Sequence, residues 1–499
     1  MGISPGRLSI PSPKERIAVV GAGIAGLTTA ALLASRADVT VYERDEHAGG
    51  KLRQVVWGNR AIDCGPTVFT LRPIFEEIFR LCGEQLEDHV ELTPLDVLAR
   101  HAWLDGSRLD LFAEREATIE AIAGFAGQRE ADAYVGFLKY ASQTWETLYG
   151  PFIRHPKPSF PGMVLRTPPH RLVRLNPYLS LWQELENRFN DPRLQQLFGR
   201  YTTYCGSSPF KAPGTLSLIA HIEQEGVWSV KGGIRTLADA LTRICEKRGV
   251  SFEFGADIEA IKTERGRVVG LDGASDEQFP IVVFNGDVDA LTRGRLDADR
   301  EADQPLKKPA RRTQSAVTLC FLGRAEGMTP AMHNVLFADD YRAEFDNVFE
   351  KNTLPDEPTT YVFAPDFDKE EQESQRFFCL INAPAHGDTK TYSEEERRRC
   401  QSKILHHLKA CGLTLTPEPE TMVTTTPTDF AERFPATGGA LFGQPIHGVR
   451  ASFQRPGIRT RTRGLYRAGG SIHPGSGVPM AALSGLMAAE TIIKDYGLT

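Results

Sequence analysis

No CxxC pair occurs among the eight cysteines, Cys64, Cys82, Cys205, Cys245, Cys320, Cys379, Cys400 and Cys411. Scattered thiols exclude a zinc ribbon and argue against a disulfide scaffold, so a reducing compartment is expected. The twelve histidines show no HExxH or comparable ligand spacing, and no metal is expected. An excess of positive charge is also missing: a net charge of −6 lacks the basic footprint of a nucleic-acid binder. Repeats and low-complexity linkers are missing, as are the long uncharged spans of a membrane protein. The segment that mimics such a span, or a signal peptide, runs uncharged from Ile17 to Ser35 between Arg16 and Arg36. It carries Gly21, Gly23 and Gly26 at a spacing a span does not need, and it leads into the β-like "DVTVYE". We read it as a soluble strand, turn and helix.

That segment is the first thing present. Ile17 to Val20 has the apolar, β-rich character of a buried parallel strand. Gly21, Gly23 and Gly26 complete GxGxxG, and Ile24 to Ala34 reads as a helix. Gly21 permits the tight turn, Gly23 lets backbone approach a pyrophosphate, and Gly26 lets helix and strand pack closely. The helix N-terminus then faces negative charge. The second strand, Val39 to Tyr42, ends at Glu43, twenty residues after Gly23, where an acid is expected to accept hydrogen bonds from a ribose. An acid there disfavours a 2′-phosphate. After Glu43 and Arg44, Gly49 and Gly50 let the chain pass close to a cofactor, and Lys51 can balance its phosphates.

Further landmarks follow in order. "IDCGPTVF" contains Asp63, Gly65, Pro66, Thr67 and Val68. "GVWSVKGGIRTLADALTRICEKRG" places Gly232 and Gly233 before an amphipathic helix over 235–247. A strand, a β-pair around "GADIEAI" and "ERGRVVGL", and the strand "IVVFNGD" come next. Residues from about 95 to 225 read mostly as helices, and those from about 305 to 425 as mixed α/β. "FQRPGIRT" and "GLYRAGGSIHPGSGVPMAALSG" close the chain with a second glycine-rich strand-to-helix turn.

The E-x(5)-GG-[KR] arrangement and "GPTVF" resemble FAD proteins of the amine-oxidase and phytoene-desaturase superfamily. With the C-terminal motif, the resemblance covers nearly the whole chain and is to carotenoid desaturases. Within them "FPATGGALFGQPIHGVRASFQRPG" and Met480 resemble the 1-hydroxycarotenoid 3,4-desaturases, also called methoxyneurosporene dehydrogenases. The resemblance implies an α/β fold: a Rossmann-like FAD-binding domain interleaved with a mixed α+β substrate domain. The expected division is 15–95, 226–300 and 430–499 for FAD, with 96–225 and 301–429 facing substrate and membrane. FAD contacts are expected at Gly21, Gly23, Ile24, Gly26, Glu43, Arg44, Gly50, Lys51, Gly65, Thr67, Val68, Ile258, Asn285, Gly470, Ser471, Val478, Pro479 and Met480. The resemblance brings Gly470 and Ser471 to the pyrophosphate and ribityl chain, and aims the helix from Val478 at the flavin's pyrimidine edge, where reduced flavin is negative. An acid is often found where this chain has Ser471.

The implied reaction is desaturation of a C–C single bond beside a polyene, with hydride passing to the flavin and a proton lost. No catalytic base is assigned. His473 reads as shaping a loop before Pro474, Asp429 and Glu432 as a turn and cap, and His406 and His407 as a helix face. No second GxGxxG follows a strand, so oxygen or a quinone is the expected electron acceptor. The carotenoid substrate is a lipid, which implies a cytoplasmic enzyme held peripherally on the inner membrane. Independently, residues 151–183 hold no acid but contain Arg154, Lys157, Arg166, Arg171 and Arg174 among Phe152, Phe160, Met163, Val164, Leu165, Tyr178 and Trp182. Such a stretch suits an anionic membrane surface, or is a loop with its apolar residues turned inward. Phytoene desaturation, amine oxidation and non-catalytic isoprenoid binding stay open as alternatives. Oligomeric state is not legible.

Overall fold

The computed structural model describes residues 15–273, 278–292, 296, 312–368 and 373–498; the expected boundary at 300/301 lies outside them. A five-stranded parallel sheet holds the strands in the order Leu465–Arg467, Ile281–Phe284, Arg16–Val20, Asp38–Glu43 and Ser251–Phe254. Ile17, Ala18 and Val19 in the middle are fully buried, which follows from helices covering one face and a β-layer the other. Helix Ile24–Leu33 follows the first strand, and helices Arg235–Lys247 and Val478–Tyr496 pack against it.

The second sheet has eight strands. Its order is Leu413–Pro417, Ser315–Gly327, Gln375–Ala383, Thr360–Phe363, His333–Leu336, Val97–Ala102 and Arg108–Phe112, with Val423–Thr425 also paired to Ser315–Gly327. Pairing is antiparallel except between His333–Leu336 and Val97–Ala102. The strand period of two divides the sheet's residues between its faces. Val317, Leu319, Phe377, Cys379 and Ile381 turn to a core shared with Ile404 and Leu408 of helix Glu394–Ala410. Ala316, Thr318, Phe378, Leu380 and Asn382 turn the other way, into the cavity described below.

One expectation is corrected here. The stretch after residue 95 is not helical at its start: 97–112 is a β-hairpin turning at Gly106, whose φ is +83°. Pairing with the distant strand His333–Leu336 decides this, and no local periodicity reports it. The helices come afterwards, as Arg115–Ala126, Gln128–Leu148 and shorter pieces up to Gln224. None of the described helices is long and apolar enough to cross a membrane. All eight cysteines are free thiols.

Candidate active site

The glycine turns are tight for identifiable reasons. A Cβ on Gly26 would lie 2.2 Å from the carbonyl oxygen of Gly21, and one on Gly23 would lie 2.8 Å from Oδ1 of Asn285. Gly21 itself has φ +103° and rests against the Asn285 backbone. Gly50, at φ +56°, touches the Cα of Gly23, and Gly65 fits over the carbonyl of Lys51. These positions leave a shallow cradle that any side chain would fill. Asn285 donates from Nδ2 to the Ala468 carbonyl at 3.0 Å, while its buried Oδ1 has no hydrogen-bond partner among the described residues.

Glu43 stands at the end of its strand. Its Oε2 accepts from the Ala22 N–H at 2.6 Å and its Oε1 from the Asp45 N–H at 3.0 Å. Burial pushes its carboxyl above the usual range, against the pull of these donors. Arg44 donates to the carbonyls of Glu432 and Arg433, tying the turn to the C-terminal third of the chain. Lys51 donates to the Leu441 carbonyl and lies over the ring of Phe434; burial lowers its pKa, with Asp287 opposing. Both cations thus have protein partners without a ligand.

The C-terminal turn meets this cradle. The Gly469 N–H donates to Ser484 Oγ at 2.8 Å, and Arg455 donates to the Gly470 carbonyl at 3.0 Å. Ser471 Oγ accepts from the Val288 N–H at 3.0 Å. The helix Val478–Tyr496 opens at Gly477, with Pro479 in its first turn, where a missing N–H costs nothing.

All these parts face one cavity of about 670 Å³. Of the residues expected to contact a cofactor, all but Gly26 line it, Thr67, Val68 and Ile258 included. Gly26 acts behind the wall, holding helix to strand. Away from the glycines the wall is apolar, with Trp145, Leu148, Phe152, Leu216, Ile219 and Ile222. The cradle, the Asn285 oxygen unpartnered among the described residues and the acid at the strand end fit a flavin dinucleotide. They leave the apolar end for a second molecule.

Asp63 has a role the motif did not reveal. It accepts from the Ile234 N–H at 2.8 Å and from Gln54 at 3.1 Å, and a Cβ on Gly233 would strike its carboxylate at 2.6 Å. Burial lifts its pKa to about 6. It therefore anchors the "KGG" turn and the following helix rather than a ligand. Asp429 closes a capping box with Thr426 and pairs with Arg397 at 2.8 Å. His407 is buried and donates to the Leu336 carbonyl. His473 is sealed beneath Phe152, donating from Nε2 to its carbonyl at 2.8 Å; burial lowers its pKa to about 4, and it does not line the cavity.

Arg200, Glu223 and Tyr361 are among the polar residues of the cavity wall that carry no motif. Arg200 is 6% exposed, Glu223 accepts from the Tyr201 hydroxyl, and Tyr361 hydrogen-bonds Thr67 Oγ1 at 2.6 Å. Burial lifts the Glu223 carboxyl to about 7, against the pull of Tyr201 and Arg200. The only signal in the sequence was charge embedded in the otherwise apolar runs "LFGRYTTYC" and "LSLIAHIEQ".

Comparison with known proteins gives a consistent picture. The profile of the flavin containing amine oxidoreductases matches residues 24–493. Hydroxyneurosporene desaturase of Rubrivivax gelatinosus is 45% identical over 98% of this chain and 95% of its own. A 1-hydroxycarotenoid 3,4-desaturase of a Flavobacterium species is 27% identical over 96% and 99%. Among solved structures, an oxidoreductase of Methanosarcina mazei superposes with a TM-score of 0.63 at 16% identity, covering 95% of this chain and 100% of its own, and so shares the fold.

Proposed function

Since the chain belongs to the flavin containing amine oxidoreductase family, we propose that this FAD-dependent oxidoreductase is a carotenoid desaturase. Its substrate in this reading is a 1-hydroxy- or methoxyneurosporene-type carotenoid, and the bond desaturated is C3–C4. The carrying observation is the continuity of one cavity, lined by the glycine turns at one part and by apolar side chains beyond. A long hydrocarbon bound in the apolar part has its reacting bond beside the cofactor.

Bound FAD supplies the two-electron acceptor for the hydride. The protein's tasks are then to hold, orient and keep dry. Gly21, Gly23 and the first turn of Ile24–Leu33 receive the pyrophosphate, and Glu43 the adenosine ribose. Gly470 and Ser471 receive the pyrophosphate and ribityl chain, and the first turn of Val478–Tyr496 the flavin's pyrimidine edge, where that helix terminus is positive. Leu148, Phe152, Ile219 and Ile222 exclude water from the hydrocarbon. The polyene delocalises charge as hydride leaves, so a weak acceptor suffices for the proton.

Around this core the reading places the FAD-binding parts at 15–95, 226–300 and 430–499, and the substrate-facing parts at 96–225 and 301–429. Oxygen or a quinone takes the electrons. The enzyme docks on the cytoplasmic face of the inner membrane through part of 151–183. Leu165, Val173 and Tyr178 support that docking, each more than four-fifths exposed beside the exposed Arg166, Arg171 and Arg174. Other members of the stretch turn inward. Met163 is buried, Phe152 packs on His473, Trp182 packs on Phe210, and Arg154 pairs with Glu77 at 2.8 Å. The docking face is thus about 160–178.

The decisive experiment follows the visible spectrum of the purified protein anaerobically, with 1-hydroxyneurosporene or phytoene supplied in liposomes. Bleaching of the flavin band by the hydroxylated carotenoid, with one new double bond in the product, is the expected result. Bleaching by phytoene alone would make the protein a general desaturase, and a colourless protein would end the enzyme reading.

A further inference from the structure

Arg200 follows the helix Pro192–Gly199 and opens the turn Arg200–Cys205. Its side chain is almost fully buried, yet it forms part of the cavity wall. Among the described residues, none accepts a hydrogen bond from its guanidinium or pairs with it as a salt bridge, and its Nε is sealed without a partner. What it meets is the ring of Tyr361, 5.9 Å from Cζ to centroid. Arg455, equally buried in the same wall, shows the usual arrangement: it donates to the carbonyls of Phe442, Gln444 and Gly470.

A guanidinium keeps its charge and offers five donors in a fixed fork. Burying it with those donors unused is strongly unfavourable, so its position makes sense when a ligand brings the acceptor. The ligand's charge is constrained as well. Glu223 and Glu344 both lie within electrostatic range of Arg200. Glu223 accepts from Tyr201, and Glu344 from Asn382 at 2.7 Å and from the Thr359 N–H at 3.2 Å. Two buried carboxyl groups beside the cation, both pushed up by burial, show that negative charge is disfavoured there, and when ionised they repel a further anion. A neutral oxygen, hydroxyl or ether, is the acceptor that fits.

Its position along the cavity is also informative. The Tyr361 hydroxyl, besides binding Thr67, lies 2.8 Å from His333 Nδ1. Thr67 follows the Gly65–Pro66 turn that packs on Lys51, part of the cofactor cradle. Arg200 is therefore one ring away from the cofactor side, not at a remote end of the apolar space.

We propose that Arg200 reads the oxygen at the hydroxylated end of the substrate and so decides which chain end lies beside the cofactor. This rests on the desaturase reading and extends it. In a 1-hydroxycarotenoid desaturated at C3–C4, one carbon separates the oxygen-bearing carbon from the reacting bond. A group that recognises the oxygen must then sit close to the redox centre, and Arg200 does.

The test compares holoenzyme with Arg200→Met and Arg200→Lys. Each receives a 1-hydroxycarotenoid or its deoxy counterpart of the same skeleton, in phosphatidylcholine vesicles. Two readouts are taken: the ligand-induced change in the flavin spectrum under anaerobic conditions, as a binding measure, and kcat/KM for each carotenoid. Wild type is expected to prefer the hydroxylated ligand, and Arg200→Met to lose about 10²-fold of that preference, almost all of it on the hydroxylated ligand. Arg200→Lys, which keeps charge but not the fork, retains part of the preference and serves if the methionine variant fails to hold flavin. An equal fall for both ligands, an unchanged preference in either variant, or equal binding of both ligands by wild type would overturn the assignment. Preferential binding that depends on Arg200 but leads to no desaturation would uphold it while removing the desaturase reading.

Discussion

Gly485, in the last helix of the chain, is seated on the carbonyl oxygen of Ala25 in the first. A Cβ at 485 would come within 2.3 Å of that oxygen, and Thr29 Oγ1 donates to the Gly485 carbonyl at 3.0 Å. The two helices whose first turns both line the cavity are thereby held in close contact.

Replacing Gly485 by Val forces them apart. We expect a loss of about 3 kcal/mol or more in stability, with flavin content falling in parallel. Thermal unfolding and the ratio of flavin to protein absorbance report both. Full flavin content at the wild-type melting temperature would show that the contact does not set the cavity.

Glu43 serves two N–H groups with two oxygens, and glutamine has one oxygen to offer. In Glu43→Gln either the Ala22 or the Asp45 N–H loses its acceptor, at about 1–3 kcal/mol. FAD affinity should fall roughly 10- to 100-fold, measured by titrating apoprotein with FAD. Unchanged affinity would remove Glu43 from the cofactor site.

His473 is a support for Phe152, not a proton carrier. Its buried ring is neutral across the range in which an enzyme base would titrate. His473→Gln should lower stability by about 1–3 kcal/mol while leaving the shape of the pH–rate profile above about pH 5 unaltered. The disappearance of an ionisation from that profile would reinstate it as a base.

The Glu223 carboxyl, raised from 4.5 to about 7, binds its proton more tightly in the folded protein than in the unfolded chain. Its contribution to stability is complete below about pH 4.5 and is lost as pH rises through about 7. Glu223→Gln, uncharged throughout, should therefore exceed wild type in stability at about pH 8 and lose that advantage at about pH 5. The buried His101, His333 and His473, lowered to about 4, 3 and 4, act in the opposite sense. Their contribution is full above about pH 6.5 and is lost as pH falls, in both proteins alike, so it cancels in the difference. Denaturant unfolding at the two pH values reads this difference, and an advantage largest at low pH would contradict the assignment.

Charge reversal at Arg166, Arg171 and Arg174 should weaken sedimentation with anionic liposomes without changing flavin content. Each reversed residue removes about 1 kcal/mol or more of attraction to the surface. Equal sedimentation of variant and wild type would place the membrane contact elsewhere.

Local chemistry was readable from the residues in order. The turn at Gly21, Gly23 and Gly26, the acid closing the strand at Glu43 and the helix after Gly232 and Gly233 all depend on sterics and periodicity within a few residues. The second glycine turn before Val478 was legible for the same reason. The strand Ser315–Gly327 was not: its first nine residues are all buried, so no alternation of polar and apolar shows which face meets the cavity. Nor does local sequence show that 97–112 pairs with His333–Leu336, that Asp63 holds a turn 170 residues away, or that Arg200 lies buried without an acceptor among the described residues. Sequence alone determined that the chain builds two glycine-rich strand-to-helix turns, because a turn answers to its own residues. Tertiary structure alone decided that both turns, an apolar wall and an arginine whose guanidinium donates to none of the described residues share a single cavity, because burial and partnership are properties of contacts between segments far apart in the chain.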